Sequence, residues 1–84
     1  MNSTQLFGVV QTDEQGKFLA PIQLFRTNRE AENFMNESHY KEVSRLQGLY
    51  ENVKWECGFS KCIVHYGFGG HFKEWTIVLA NYED

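Results

Sequence analysis

The chain has 84 residues, a net charge of −3 from eight Lys plus Arg against eleven Asp plus Glu, and 15% aromatic residues. That length is read as one domain, residues 1–84, with a modest core, so seven Phe, four Tyr and two Trp leave surplus rings for the surface. The mild acidity disfavours direct binding to nucleic acid, and no apolar run nears the ~18 residues that span a bilayer, so no membrane partner is expected.

The opening Met1-Asn2-Ser3-Thr4-Gln5 has no basic region leading into an apolar stretch, and a cytoplasmic protein is expected. Leu6 to Gln11 is a short apolar run of strand length, and Thr12 to Lys17 a polar turn. Phe18 to Phe25 resumes strand character, with Phe18, Ala20, Ile22 and Leu24 alternating. Pro21 cannot donate to a ladder, so this strand is an edge or bends there. A β-hairpin over 6–25 is the expected first unit.

Thr27-Asn28-Arg29-Glu30 fits a capping box that starts a helix over 28–37. Ala31, Phe34 and Met35 share its apolar face, while Glu30, Glu32, Asn33, Asn36 and Glu37 face water. Val43, Leu46, Leu49 and Tyr50 also recur at helical spacing. They predict either a second helix over 38–50 capped by Ser38 or one bent helix across 28–47. Three strands follow. Val53, Trp55 and Cys57 alternate with Lys54 and Glu56; Cys62, Val64 and Tyr66 share a face of 61–66; and 73–82 is apolar on both faces, as a central strand would be. The order β-β-α-(α)-β-β-β predicts an α+β fold, a small antiparallel sheet of about five strands with one or two helices on one face.

The densest stretch is His65-Tyr66-Gly67-Phe68-Gly69-Gly70-His71-Phe72, expected to be a loop or hairpin connection between two strands. Part of it, Gly67 to Phe72, resembles the aromatic strand motif of RNA-recognition and cold-shock domains, whose rings stack on bases. It departs from that motif in carrying Tyr66 where a basic residue precedes the first glycine, and Gly70 at an aromatic position. Single-strand nucleic-acid binding is therefore kept as an alternative only.

The chain has two cysteines, Cys57 and Cys62, and a secreted domain this small would carry more, so both are read as reduced thiols. With His65 and His71 they give C-x4-C-x2-H-x5-H, a zinc alternative with the ligand types zinc prefers. The strand pattern, however, puts Cys62 and His65 on opposite faces, and no metal or other cofactor is expected. A Cys nucleophile with a His base is the bare minimum for catalysis, but no nucleophile elbow, phosphate loop or carboxylate pair accompanies it, and the chain is read as non-enzymatic. Rigid aromatics on a glycine-supported loop are good protein anchors. The expected function is thus protein binding, as an inhibitor or adaptor that covers a partner's functional surface. Such compact acidic chains without motifs are common among phage and mobile-element accessory proteins. The candidate contacts are Tyr66, Phe68, His71, Phe72, Phe59 and Tyr82, with Glu30, Glu32 and Glu37 as a secondary acidic face. The partner could be a nucleic-acid-handling protein; a homodimer, cystine-linked or symmetric, is the further alternative.

Overall fold

The computed structural model describes residues 3–83, with side chains over 5–81. Met1 and Asn2 of the opening segment and the side chain of Tyr82 lie outside the described residues. The elements run β1 (Ser3–Asp13), β2 (Gln23–Phe25), α1 (Asn28–Gln47), β3 (Val53–Cys57), β4 (Lys61–Tyr66) and β5 (His71–Glu83). They build one antiparallel five-stranded sheet in the order β2-β1-β5-β4-β3, with α1 on one face. The α+β architecture is as expected, and β5 is indeed central.

The helix starts where the capping box places it. Thr27 is extended and its Oγ1 accepts from the Glu30 backbone N–H at 3.1 Å, while Thr27 Oγ1 donates to the Glu30 carboxylate at 3.0 Å. It then runs unbroken for 20 residues. The two-helix alternative is thereby corrected. Ser38 caps nothing: its hydroxyl lies inside α1 and accepts from Trp75 Nε1 at 3.0 Å. Gly48 ends the helix, leaving Leu49 and Tyr50 beyond it.

Ala31, Met35, His39, Val43 and Leu46 recur every three or four positions and form the buried stripe of α1. They meet Val9 of β1, Cys62 and Val64 of β4 and Trp75 of β5. Phe34, expected on this face, sits at its margin against Phe25, ring centroids 5.2 Å apart.

The expected strand over 18–25 shrinks to Gln23–Phe25, paired with Val9, Gly8 and Phe7. Pro21 interrupts it, and before the proline only Phe18 bridges, to Thr12. The eight-residue aromatic-glycine stretch forms a hairpin connection, one of its two expected forms. His65 and Tyr66 end β4, His71 and Phe72 begin β5, and only Gly67–Gly70 turns. Gly67 has φ +67°, and a Cβ there would meet the Tyr50 ring at 3.3 Å. Its place is dictated by backbone sign and by space.

The two cysteines are not free thiols. Cys57 and Cys62 are partners in the β3–β4 ladder, Cα–Cα 4.1 Å, and their sulfurs are bonded. The Gly58 N–H donates to the Lys61 carbonyl, which makes the neighbouring 57–62 pair the non-hydrogen-bonded kind, where side chains come closest. With the chain's two cysteines joined internally, neither is left for a cystine-linked dimer.

The molecule is longer than a compact chain of its size. Its radius of gyration is 14.2 Å against roughly 12 Å expected, and its accessible surface is 6069 Å² against roughly 5,200 Å². The β1–β5 ribbon explains part of this: its pairing runs from Asp13↔Lys73 to Ser3↔Glu83, past the ends of β2 and β4.

Stability should track the helix–sheet seam. Met35→Ala is expected to lower the unfolding free energy by about 2–5 kcal/mol, while Phe68→Ala at the exposed turn changes it by less than about 0.5 kcal/mol. Urea unfolding measures both, and equal effects would contradict this account of the core.

Candidate functional site

Three regions concentrate chemistry or exposed apolar surface. The first is the β4–β5 turn. Tyr66 and His71 face each other across the ladder with stacked rings, centroids 5.7 Å apart, on the helix side of the sheet. His65 and Phe72 form the next pair, centroids 5.5 Å apart, on the opposite side. Phe68 stands at the tip, 88% exposed. So Tyr66, Phe68, His71 and Phe72 do share one end of the molecule, but across two faces. Phe59, also 88% exposed, caps the β3–β4 turn at the other end of β4. Glu30 and Glu37 are exposed on α1. Glu32 is half-buried and accepts from Asn28 Nδ2 at 2.7 Å.

A polar chain lies beneath the turn. His71 Nδ1 donates to the Glu14 carboxylate at 2.7 Å, tying the β1–β2 turn to β5. That bond is the main reason the Glu14 carboxyl is held below its usual range. Lys73 bonds to Glu42 of α1 and lies 5.8 Å from the Tyr66 ring centroid. Glu42 also takes the Arg45 guanidinium in two bonds, at 2.7 and 2.8 Å. Arg45 first and Lys73 second, against the opposing effect of burial, bring the Glu42 carboxyl from 4.5 down to about 2. Burial first, then the nearby Glu14 carboxylate, raises the Tyr66 phenol above its ordinary value.

The second region is the sheet face away from α1. Gly8 on β1 is covered there by Ile22, Leu24 and Val78, each within 3.4 Å of where a Cβ would stand. These three side chains remain 48, 54 and 39% exposed. Half-buried Leu6 and Val10 flank Gly8 on the same face by strand alternation. Towards β3 the face turns polar, with Lys61 Nζ 3.6 Å from Glu74.

The third region is the cystine. Cys57, Cys62, His65 and His71 do not converge. His65 pairs with Lys54 and Phe72 on the far face, and His71 stands at the opposite end of β4 from Cys62. The imidazole at the sulfurs is His39 instead. A ring nitrogen of His39 and both sulfurs lie within 4.8 Å of one another. Asn36, one turn earlier on α1, places Oδ1 3.0 Å from Cys57 Sγ and 3.6 Å from Cys62 Sγ. The helical pattern over 28–37 puts Asn36 among the residues facing water and does not mark His39. The signal for His39 was the four-residue spacing Ala31, Met35, His39, Val43.

The chain matches no family model, no curated protein and no solved structure. Among the described residues no helix is long and apolar enough to cross a membrane.

The Glu42 cluster makes a signed prediction. A carboxyl whose folded value lies at about 2 adds stability that is fully present above the unfolded value of 4.5 and is lost as pH falls through 2. Glu42→Gln should be less stable than the parent near neutral pH, with the gap closing on acidification through that window. Urea midpoints across the acid range check this, and a gap independent of pH would contradict it.

Proposed function

We propose that the protein is a non-enzymatic protein-binding module, an inhibitor or adaptor of the phage-accessory type that works in the cytoplasm by covering a partner's functional surface. The observation that carries this reading is the apolar strip of Ile22, Leu24 and Val78 on the sheet face that α1 leaves uncovered. One helix can cover one side of a sheet, and the other side is normally polar where it meets only water. Here its β2–β1–β5 half is apolar instead. Covering such surface is worth roughly 25 cal/mol per Å², and contiguous apolar patches of this sort favour a protein partner.

The charges nearby argue for protein over nucleic acid. Lys61 lies beside Glu74 on this face, and the chain carries a net −3. A phosphate backbone would need a cationic stripe. Phe72 places one ring of the turn cluster on the same face, and Phe68 at the tip could extend the contact as an exposed anchor.

The test is capture from host lysate with the intact chain, with and without nuclease, beside Leu24→Asp and Val78→Asp. One protein recovered equally after nuclease, and reduced by about tenfold or more in both variants with unchanged circular dichroism, is the expected result. Loss of every partner after nuclease would replace this reading with base stacking on Phe68. Concentration-dependent self-association that Leu24→Asp abolishes, with no other protein recovered, would make a second copy the occupant.

A further inference from the structure

We propose that the reduced form of the chain binds one Zn(II) ion through Cys57, Cys62 and His39, at the junction of α1 with the β3–β4 hairpin. The juxtaposition is specific. Both sulfurs leave one face of the sheet at a directly opposed ladder pair, and the helix brings an imidazole to within 4.8 Å of them. Thiolate and imidazole are zinc's preferred donors, and a Cys2His set leaves one position for an oxygen ligand. Asn36 Oδ1, 3.0 and 3.6 Å from the two sulfurs, is the side-chain oxygen beside them that could fill it.

The imidazole already has a backbone partner on one ring nitrogen. His39 is buried, and its Nε2 lies 3.0 Å from the Ile63 carbonyl oxygen. A carbonyl can only accept, so Nε2 is the donor in this contact, and in the neutral ring that leaves Nδ1 as the nitrogen able to bind a metal. A backbone carbonyl on the remote ring nitrogen is the usual support of a zinc-bound histidine. The Trp75 ring meets His39 edge-on, centroids 5.1 Å apart, and limits its rotation. Tetrahedral zinc at about 2.3 Å from each thiolate separates the sulfurs by roughly 3.8 Å, which side-chain rotation on opposed strands allows. A groove of about 310 Å³ lined by Glu32, Asn36, Cys57, Gly58 and Phe59 opens beside the exposed Cys57.

The chemistry balances in two steps. A dithiol reductant supplies two electrons and two protons, breaks the Cys57–Cys62 bond and is itself oxidised to a disulfide. Zn(II) then replaces the two thiol protons, which leave to solvent. A compartment that keeps thiols reduced holds the chain in the competent form.

The experiment uses the full chain, reduced with a phosphine under anaerobic conditions and titrated with Co(II) and then Zn(II). We expect one Co(II) per chain with the intense visible bands of a tetrahedral thiolate site, bleached by one equivalent of Zn(II), and no binding by the oxidised chain. X-ray absorption of the zinc form should give two sulfurs at about 2.3 Å and one imidazole. His39→Gln keeps a donor for the Ile63 carbonyl and should weaken zinc binding by about 100-fold or more, as should Cys57→Ser at its exposed site. An octahedral cobalt spectrum, a zinc shell without imidazole, or parental affinity in folded His39→Gln would each overturn the proposal. The absorption measurement on the parent chain decides the matter even if the buried variant fails to fold.

Discussion

Trp75 stands in the middle strand with its ring wholly buried, and its one polar atom is satisfied by Ser38 Oγ at 3.0 Å. An indole N–H buried without a partner costs about 1–3 kcal/mol, so this bond sets where α1 can lie over the sheet. Once Ser38 is fixed over Trp75, the four-residue repeat of α1 places Met35 on one side and His39 on the other. His39 in turn reaches the Ile63 carbonyl, and Glu42 reaches Lys73. The helix is thus pinned to β4 and β5 by a row of polar contacts through an apolar seam. Shape complementarity alone would allow a short helix to slide along a sheet; directional bonds do not.

That row also explains which parts of the fold were legible in the sequence. The strand over 53–57 alternates plainly, 61–66 shows one shared face, 73–82 is apolar on both faces as a central strand is, and the capping box at Thr27 marks the helix start. Ser38 misled because a serine between polar residues has the local chemistry of a cap. Its real partner lies 37 positions away and has no local trace. Pro21 rightly signalled an edge strand, but the strand starts only after it. The cystine was readable in principle. A turn that pairs Gly58 with Lys61 opposes Cys57 to Cys62, and the scarcity of cysteines argued the other way from composition alone.

The candidate sites were less legible, because closeness in sequence is not closeness on a face. Residues 65–72 are adjacent in the chain, yet the period of two divides them. Tyr66 and His71 turn toward the helix side, and His65 and Phe72 turn away. Ile22, Leu24 and Val78 belong to segments more than fifty residues apart and meet over Gly8. Only the register of β1 between β2 and β5 assembles them.

The position of the cystine has a mechanical consequence. It joins residues only five apart in sequence that the ladder already holds opposite each other. Closing so small a loop removes little freedom from the unfolded chain, about 2 kcal/mol on the loop-entropy scale against about 4.7 kcal/mol for a hundred-residue loop. The bond is therefore a local clasp and not a girder. The hairpin is held by its ladder, and the seam by Trp75 and the stripe of α1, whether the clasp is open or closed. A fold arranged this way can change the oxidation state of its sulfurs while keeping its outer surfaces, and hence its partners, the same.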